Sequence, residues 1–309
     1  MRLSSGLLAL GALGLPQALA WGSLGHITTA YLASEFVSNT TEAYLKDLLY
    51  NETSDYMANI ATWADSVRYT RWGRFTKTFH FIDAKDDPPR SCNVDLERDC
   101  KETGCVVTSL ANYTQQSLDA SLGWPDRNIA AKFVIHFIGD LHQPLHNENV
   151  ARGGNGIHVL WHGSEVNLHR VWDSSIAEQW VNGRRRGKPF EMAKRWSEQL
   201  AREIREGKYA AQKDAWLKDV NIDDVVGTAL TWSRECNAYV CSHVFPEGPV
   251  AIQGKELSGD YYERAAPVVE LLVAQAGYRL AAFLDLIVDG YLEKTSHGSA
   301  SSNVISEEL

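Results

Sequence analysis

Two histidine–aspartate pairs recur at the same spacing in this chain of 309 residues: His136 with Asp140 in "HFIGD", and His169 with Asp173 in "HRVWD". Four residues apart on a helix, both side chains of a pair share one face. Imidazole nitrogen and carboxylate oxygen are donors that zinc favours, and a buried charge costs several kcal/mol unless it is paired or bound to metal. Four further residues fit the same chemistry: His26 in "WGSLGH", Asp65 in "ATWADSVR", His80 between Phe79 and Phe81 in "KTFHFID", and His146 in "DLHQPLH". Together they exceed what one four-coordinate zinc can use. His142, His158, His162, His243 and His297 read as ordinary structural or surface histidines.

Such ligands need rigid carriers. In residues 127–143, Ile129, Phe133, Phe137 and Leu141 recur every fourth position beside a second row of Ala130, Val134 and Ile138, which predicts a buried helix with His136 and Asp140 on it. Pro144 is expected to end it. Helices are also predicted over 27–37, over 42–50 behind a Thr41 cap, over 192–206 with one exposed side, and over 267–290 between Pro267 and Gly290. Residues 156–169 alternate and predict a hairpin turning at Gly163-Ser164. The fold class is therefore mainly α, a single helical domain with a small β-hairpin.

Composition narrows the function. A formal charge of −9 and a pI near 5.6 argue against a broad electrostatic footprint for nucleic acid, so a polyanionic substrate would need local positive charge, which bound metal could supply. The basic run "NGRRRGK" (182–188) reads as an exposed loop. Residues 1–20 read as a signal peptide, with Arg2, the apolar "LLALGALGL", and Ala18 and Ala20 before a cut that leaves Trp21 first. The apolar run is too short to span a membrane, and no later segment reads as long and charge-free enough. A soluble, secreted protein is expected, with one domain over 21–293 and a disordered polar tail over 294–309.

Glycosylation sequons at Asn39, Asn51 and Asn112 agree with secretion. Five cysteines leave one unpaired. "CKETGC" favours Cys100 with Cys105, and Cys92 would then take Cys241 or Cys236.

Taken together, Trp21 with "GxxGH", "WAD", "HFID", "HFIGDLHQPLH", "GGN" and "NLHxxWD", in order and over nearly the whole mature chain, resemble the S1/P1 nuclease family. These are secreted single-strand-specific zinc nucleases of fungi, related to plant bifunctional nucleases and to zinc phospholipases C. The resemblance implies three Zn2+ ions. Asp65, His80, His136 and Asp140 would hold one; Asp140 would bridge to a second, held by His26 and the amine and carbonyl of Trp21. His146, His169 and Asp173 would hold a third, more exposed ion. An α-amine titrates near about 8, so it can bind metal at modest cost once the leader is cut away.

The resemblance further implies hydrolysis of single-stranded DNA and RNA to 5′-phosphorylated products, with 3′-nucleotidase activity, by a monomer. Asp65 and Arg68 would be catalytic, Arg68 stabilising charge in the transition state. Phe81 would stack a base, Asp83 would accept from its edge, and Asn155 would fix that end. Arg152 departs from the small or aliphatic residue some relatives carry, so the resemblance does not define the wall opposite Phe81. A zinc phospholipase C-like phosphodiesterase and a non-catalytic secreted zinc-binding protein are the alternatives. A metalloprotease is disfavoured because H-E-x-x-H is absent.

Overall fold

Apolar residues recur every three to four positions along most of the chain, and helices form where they do. The computed structural model describes residues 21–183, 185 and 187–304, with side chains to 296. The expected signal peptide, the last five residues, and Arg184 and Arg186 of the basic run lie outside the described residues.

The first helix, α1 (Ser23–Ser34), buries nearly every side chain and carries His26. It packs against α9 (Pro189–Arg205) and the long last helix α13 (Asp260–Val304). Helix α2 (Asn39–Leu49) is capped by Ser38, whose hydroxyl accepts from the Thr41 amide at 3.2 Å, so Thr41 stands in the first turn and not at the cap. Serine there satisfies an amide that has no partner inside the helix. The short α3 (Trp63–Val67) carries Asp65 and ends at Arg68. A 3-10 turn, Arg74–His80, brings in His80.

After α4 (Leu96–Asp99) comes α5 (Val106–Leu118), which packs on α6 (Trp124–Leu141). Helix α6 is the predicted buried helix. It starts earlier than expected because Pro125 sits in its first turn, and it stops at His142, with Pro144 opening a 3-10 turn that carries His146. Helices α7 (Leu168–Arg170) and α8 (Ile176–Asn182) flank a π-helical turn, Val171–Ser175, and together this segment presents His169 and Asp173. Helices α10 (Lys213–Trp216), α11 (Val225–Tyr239) and α12 (Pro249–Ile252) complete the order before α13.

The β element is one antiparallel pair, β1 (His158–Trp161) and β2 (Ser164–Asn167), with His158 opposite Asn167. Its turn is His162-Gly163, one residue earlier than the sequence suggests. Both residues have positive φ, 50° and 75°, as a two-residue hairpin turn requires. The Glu256 carboxylate accepts from both turn amides, at 3.1 and 2.7 Å.

Three more expectations are corrected by α13. Pro267 lies inside it, because Tyr261, Ala265 and Ala266 bury an earlier stretch against the core and offset the backbone bond that proline cannot donate. Gly290 does not end the helix, which runs to Val304 through part of the segment expected to be disordered. This helix also contains an apolar stretch long enough to cross a membrane, with a mean hydropathy of 1.6, contrary to the reading of the sequence. Most of that stretch, 67%, is buried inside the fold, where it serves as core.

Disulfides join Cys92 to Cys241 and Cys100 to Cys105. Cys236 is a buried free thiol on α11, its pKa pushed well up by burial.

Candidate active site

Six separate segments deliver the eight histidines and aspartates to one buried region. His26, Asp65, His80, His136 and Asp140 are each at most 2% exposed, and His146, Asp173 and His169 are 3%, 2% and 7% exposed. They form overlapping groupings that could hold a metal ion: His26, Asp65 and His136; His80, His136 and Asp140; and His146, His169 and Asp173. The first two share His136. Asp140 lies between them, 3.3 Å from His26 Nε2 through Oδ1 and 3.0 Å from His80 Nδ1 through Oδ2.

The backbone aims the rings. Nδ1 of His136 donates to the Ala61 carbonyl at 2.7 Å, Nδ1 of His146 to the His80 carbonyl at 2.7 Å, and Nδ1 of His169 to the Gly153 carbonyl at 2.6 Å. This network assigns the tautomer and leaves each Nε2 as an electron-pair donor, the orientation a metal-binding imidazole needs. Burial, more than any neighbour, pushes the pKa values of His26, His80 and His146 well down, so these rings are neutral. Burial and then the nearby Asp65 push the Asp140 carboxyl well up.

The donor set fits a metal. Both oxygens of Asp65, Nε2 of His26 and His136, Oδ1 of Asp140 and Oδ2 of Asp173 are buried without a hydrogen-bond partner. Several lie within ion-pair distance of one another, such as His136 Nε2 and Asp65 Oδ1 at 3.7 Å, without forming a hydrogen bond. Unpartnered buried donors of this kind are costly unless a cation takes their lone pairs.

Space for this convergence comes from glycine. A Cβ on Gly139 of α6 would stand 2.8 Å from His26 Nδ1, so only glycine lets the α1 imidazole lie against α6 beside Asp140. Trp21 is fully buried at the start of α1, and the next amide, that of Gly22, donates to the Asp173 carbonyl at 2.7 Å.

Against the metal groupings lies a cavity of about 200 Å³ whose walls include Arg68, Phe81, Asp83, His146, Glu148, Arg152, Asn155 and His169. It gathers every residue expected to touch substrate apart from Asp65, which lies behind Arg68. The Arg68 guanidinium is 3.1 Å from Asp65 Oδ1. Asn155 lines the cavity, although its side-chain amide donates to the Arg152 carbonyl at 2.8 Å. Asp83 is not a bare acceptor, since Lys101 forms an ion pair with it. The wall opposite Phe81 is a left-handed turn: Ala151, Arg152, Gly153 and Gly154 all have positive φ, between 48° and 77°. A larger cleft, about 810 Å³, lies beside the hairpin and α8, but of these site residues it reaches only Asp173.

Sequence reasoning missed Gly139, Gln143, Glu148 and Lys101. Gln143 donates to Asp173. Glu148 accepts from the Asn149 and Val150 amides at 2.8 and 2.7 Å, with its pKa pushed up to about 8, chiefly by burial. A glycine in mid-helix and polar residues in a buried stretch were signals for the first three. Nothing local marks Lys101.

A mainly helical chain that brings histidines and aspartates from six segments into one buried region beside a cavity has the layout of a metal-binding hydrolase. Residues 21–289 match the family described as S1/P1 Nuclease. The chain is 46% identical to Nuclease S1 of Aspergillus oryzae, over 86% of this chain and 91% of that one. It is 41% identical to Nuclease P1 of Penicillium citrinum, over 86% and 97%, and 31% identical to Endonuclease 3 of Arabidopsis thaliana, over 87% and 90%. The chain belongs to the S1/P1 nuclease family, and it is a nuclease, a hydrolase of phosphodiester bonds in nucleic acid.

Proposed function

We propose that this nuclease acts on single-stranded DNA and RNA, uses three zinc ions, releases 5′-phosphorylated products, and also removes 3′-phosphates from nucleotides. The observation that carries the proposal is a cavity that holds an aromatic platform and an arginine and is reached by the third of three buried histidine–aspartate groupings, through His146 and His169. Asp65, His80, His136 and Asp140 would hold one zinc, His26, Asp140 and the amine and carbonyl of Trp21 a second, and His146, His169 and Asp173 a third. Zinc bound there supplies Lewis acidity toward a phosphodiester and a nucleophile at neutral pH.

The chain's own residues do the rest. The carbonyls of Ala61, His80 and Gly153 fix the imidazoles, so no ring has to reorient when substrate arrives. Asp65 holds Arg68 at the cavity wall, where the guanidinium can hydrogen-bond phosphate oxygens and offset the charge that builds up in the transition state. Phe81, partly exposed at the cavity, can stack any base for about 1–3 kcal/mol. A duplex hides those base faces, which accounts for single-strand preference.

Removal of residues 1–20 would expose the Trp21 amine as a ligand and accompanies secretion, which the two disulfides favour. Of the glycosylation candidates, Asn39 and Asn112 are exposed and Asn51 is half-buried. The protein would act as a monomer.

The test is release of acid-soluble nucleotides from single-stranded DNA, RNA and duplex DNA by the secreted protein, before and after chelation and zinc return. Cleavage of both single strands that disappears with chelation and returns with zinc supports the reading. Equal cleavage of duplex, or activity that survives chelation, overturns it.

A further inference from the structure

Lys101 lies at the edge of the base platform and has no part in the reading above. Its ammonium pairs with Asp83 and stands 5.8 Å from the centre of the Phe81 ring. The backbone behind it is held on both sides. Lys101 follows Cys100 inside the ring closed by Cys105, and its carbonyl accepts from the Gly104 amide at 2.9 Å. Just past the ring, the Val106 amide donates to the carbonyl of Phe81 itself at 3.1 Å. Lysine and platform are thus parts of one tethered unit. The Lys101 side chain is more than half exposed, and a pair open to water on that side adds little to stability, so folding alone does not explain this placement.

We infer that Lys101 makes the pocket tolerant of all four bases. The inference rests on Phe81 and Asp83 being the base site proposed above. A bare carboxylate offers two acceptors side by side and suits guanine, whose N1–H and N2–H are adjacent donors. It repels a uracil or thymine edge, where a carbonyl flanks the single N3–H. By taking one oxygen of Asp83, the Lys101 ammonium leaves one acceptor next to one donor. Every base presents the complement: N1–H with O6 in guanine, N3–H with O4 in uracil and thymine, N6–H with N1 in adenine, and N4–H with N3 in cytosine. Where donor and acceptor are in reverse order, the ring can turn over, because stacking on Phe81 does not depend on which face is down.

The experiment is calorimetric binding of guanosine and uridine 5′-monophosphates to the zinc-loaded protein and to its K101M, K101R and F81A variants. The shared phosphate cancels in the ratio of the two affinities. The native protein should bind both within a few-fold. K101M should raise the guanosine-to-uridine ratio about tenfold, the factor carried by one hydrogen bond to a charged group, with zinc content unchanged. K101R, which keeps a donor beside Asp83, should hold the native ratio. An unchanged ratio in K101M overturns the inference, as does an equal gain or loss for both nucleotides, which would make Lys101 a lid or a general attractor. The F81A variant separates the two claims: if it binds both nucleotides like the native protein, the base site itself is misplaced. If F81A weakens both while K101M leaves the ratio alone, only the role of Lys101 falls.

Discussion

Asp140 divides its oxygens among four imidazoles. Oδ1 lies 3.3 Å from His26 Nε2 and 3.6 Å from His146 Nδ1, and Oδ2 lies 3.0 Å from His80 Nδ1 and 3.4 Å from His136 Nε2. A carboxylate approached from four sides can serve two metals. Asp140→Asn keeps the shape and removes the charge, so it should cost two zinc ions by mass spectrometry, whereas Asp173→Asn should cost one. A loss of one ion in both would exclude the shared carboxylate. Protons compete at the same atom. Because burial holds the Asp140 carboxyl up, it takes a proton more readily than an ordinary carboxyl and metal competes with that proton, while burial pushes the neighbouring histidines down toward the neutral form. Metal affinity should therefore rise with pH toward that raised value and fall as acid returns the proton; zinc titration in weak buffer should acidify the solution. The ligand pairs were legible in the sequence because four-residue spacing is a local property of a helix. Lys101 and Gln143 were not, because their partners lie 18 and 30 residues away and only the tertiary fold joins them.

Among the elements, the turn after Glu148 does the most with the least secondary structure. Gly153 has a φ of +59°, its carbonyl fixes His169, and a Cβ there would come within 2.5 Å of the Leu145 carbonyl. Gly153→Ala should cost about 1–3 kcal/mol of stability, read from denaturant unfolding, and should selectively weaken the ion held by His146, His169 and Asp173. Retention of full zinc and native stability would show that the turn is not under this constraint. "GGN" was visible in the sequence, but its left-handed path was not, since Ala151 and Arg152 share that backbone without being glycine. The buried α6 was legible from two apolar rows. Its ends, the Ser38 cap and the His162-Gly163 turn were displaced by a few residues, because one hydrogen bond or one positive φ decides each. Pro267 misled for a related reason: burial of the preceding turn outweighs the bond a proline loses.

Across the whole molecule, the start of the described chain is tied into the centre. Trp21 is fully buried, Gly22 bonds to the Asp173 carbonyl, and α1 lies against α9 and α13. A single residue left ahead of Trp21 should therefore remove one zinc and nearly all activity while the fold, followed by circular dichroism, is kept. Full activity would exclude the α-amine as a ligand. The class, mainly α with one hairpin, was legible because helix periodicity extends over most of the chain. That α13 serves as core, despite being apolar enough to cross a membrane, follows from what packs around it and not from its own composition. The smaller disulfide closes a ring from Cys100 to Cys105, and the next residue, Val106, donates its amide to the Phe81 carbonyl. Within so small a covalent ring, Lys101, Glu102 and Thr103 are exposed and can be exchanged without disturbing the helices that carry the metal-binding groupings. If Lys101 sets the preference among bases, as inferred above, that preference can drift over evolutionary time while the chemistry of cleavage stays fixed, and substitutions at these exposed ring positions are where the drift would be recorded.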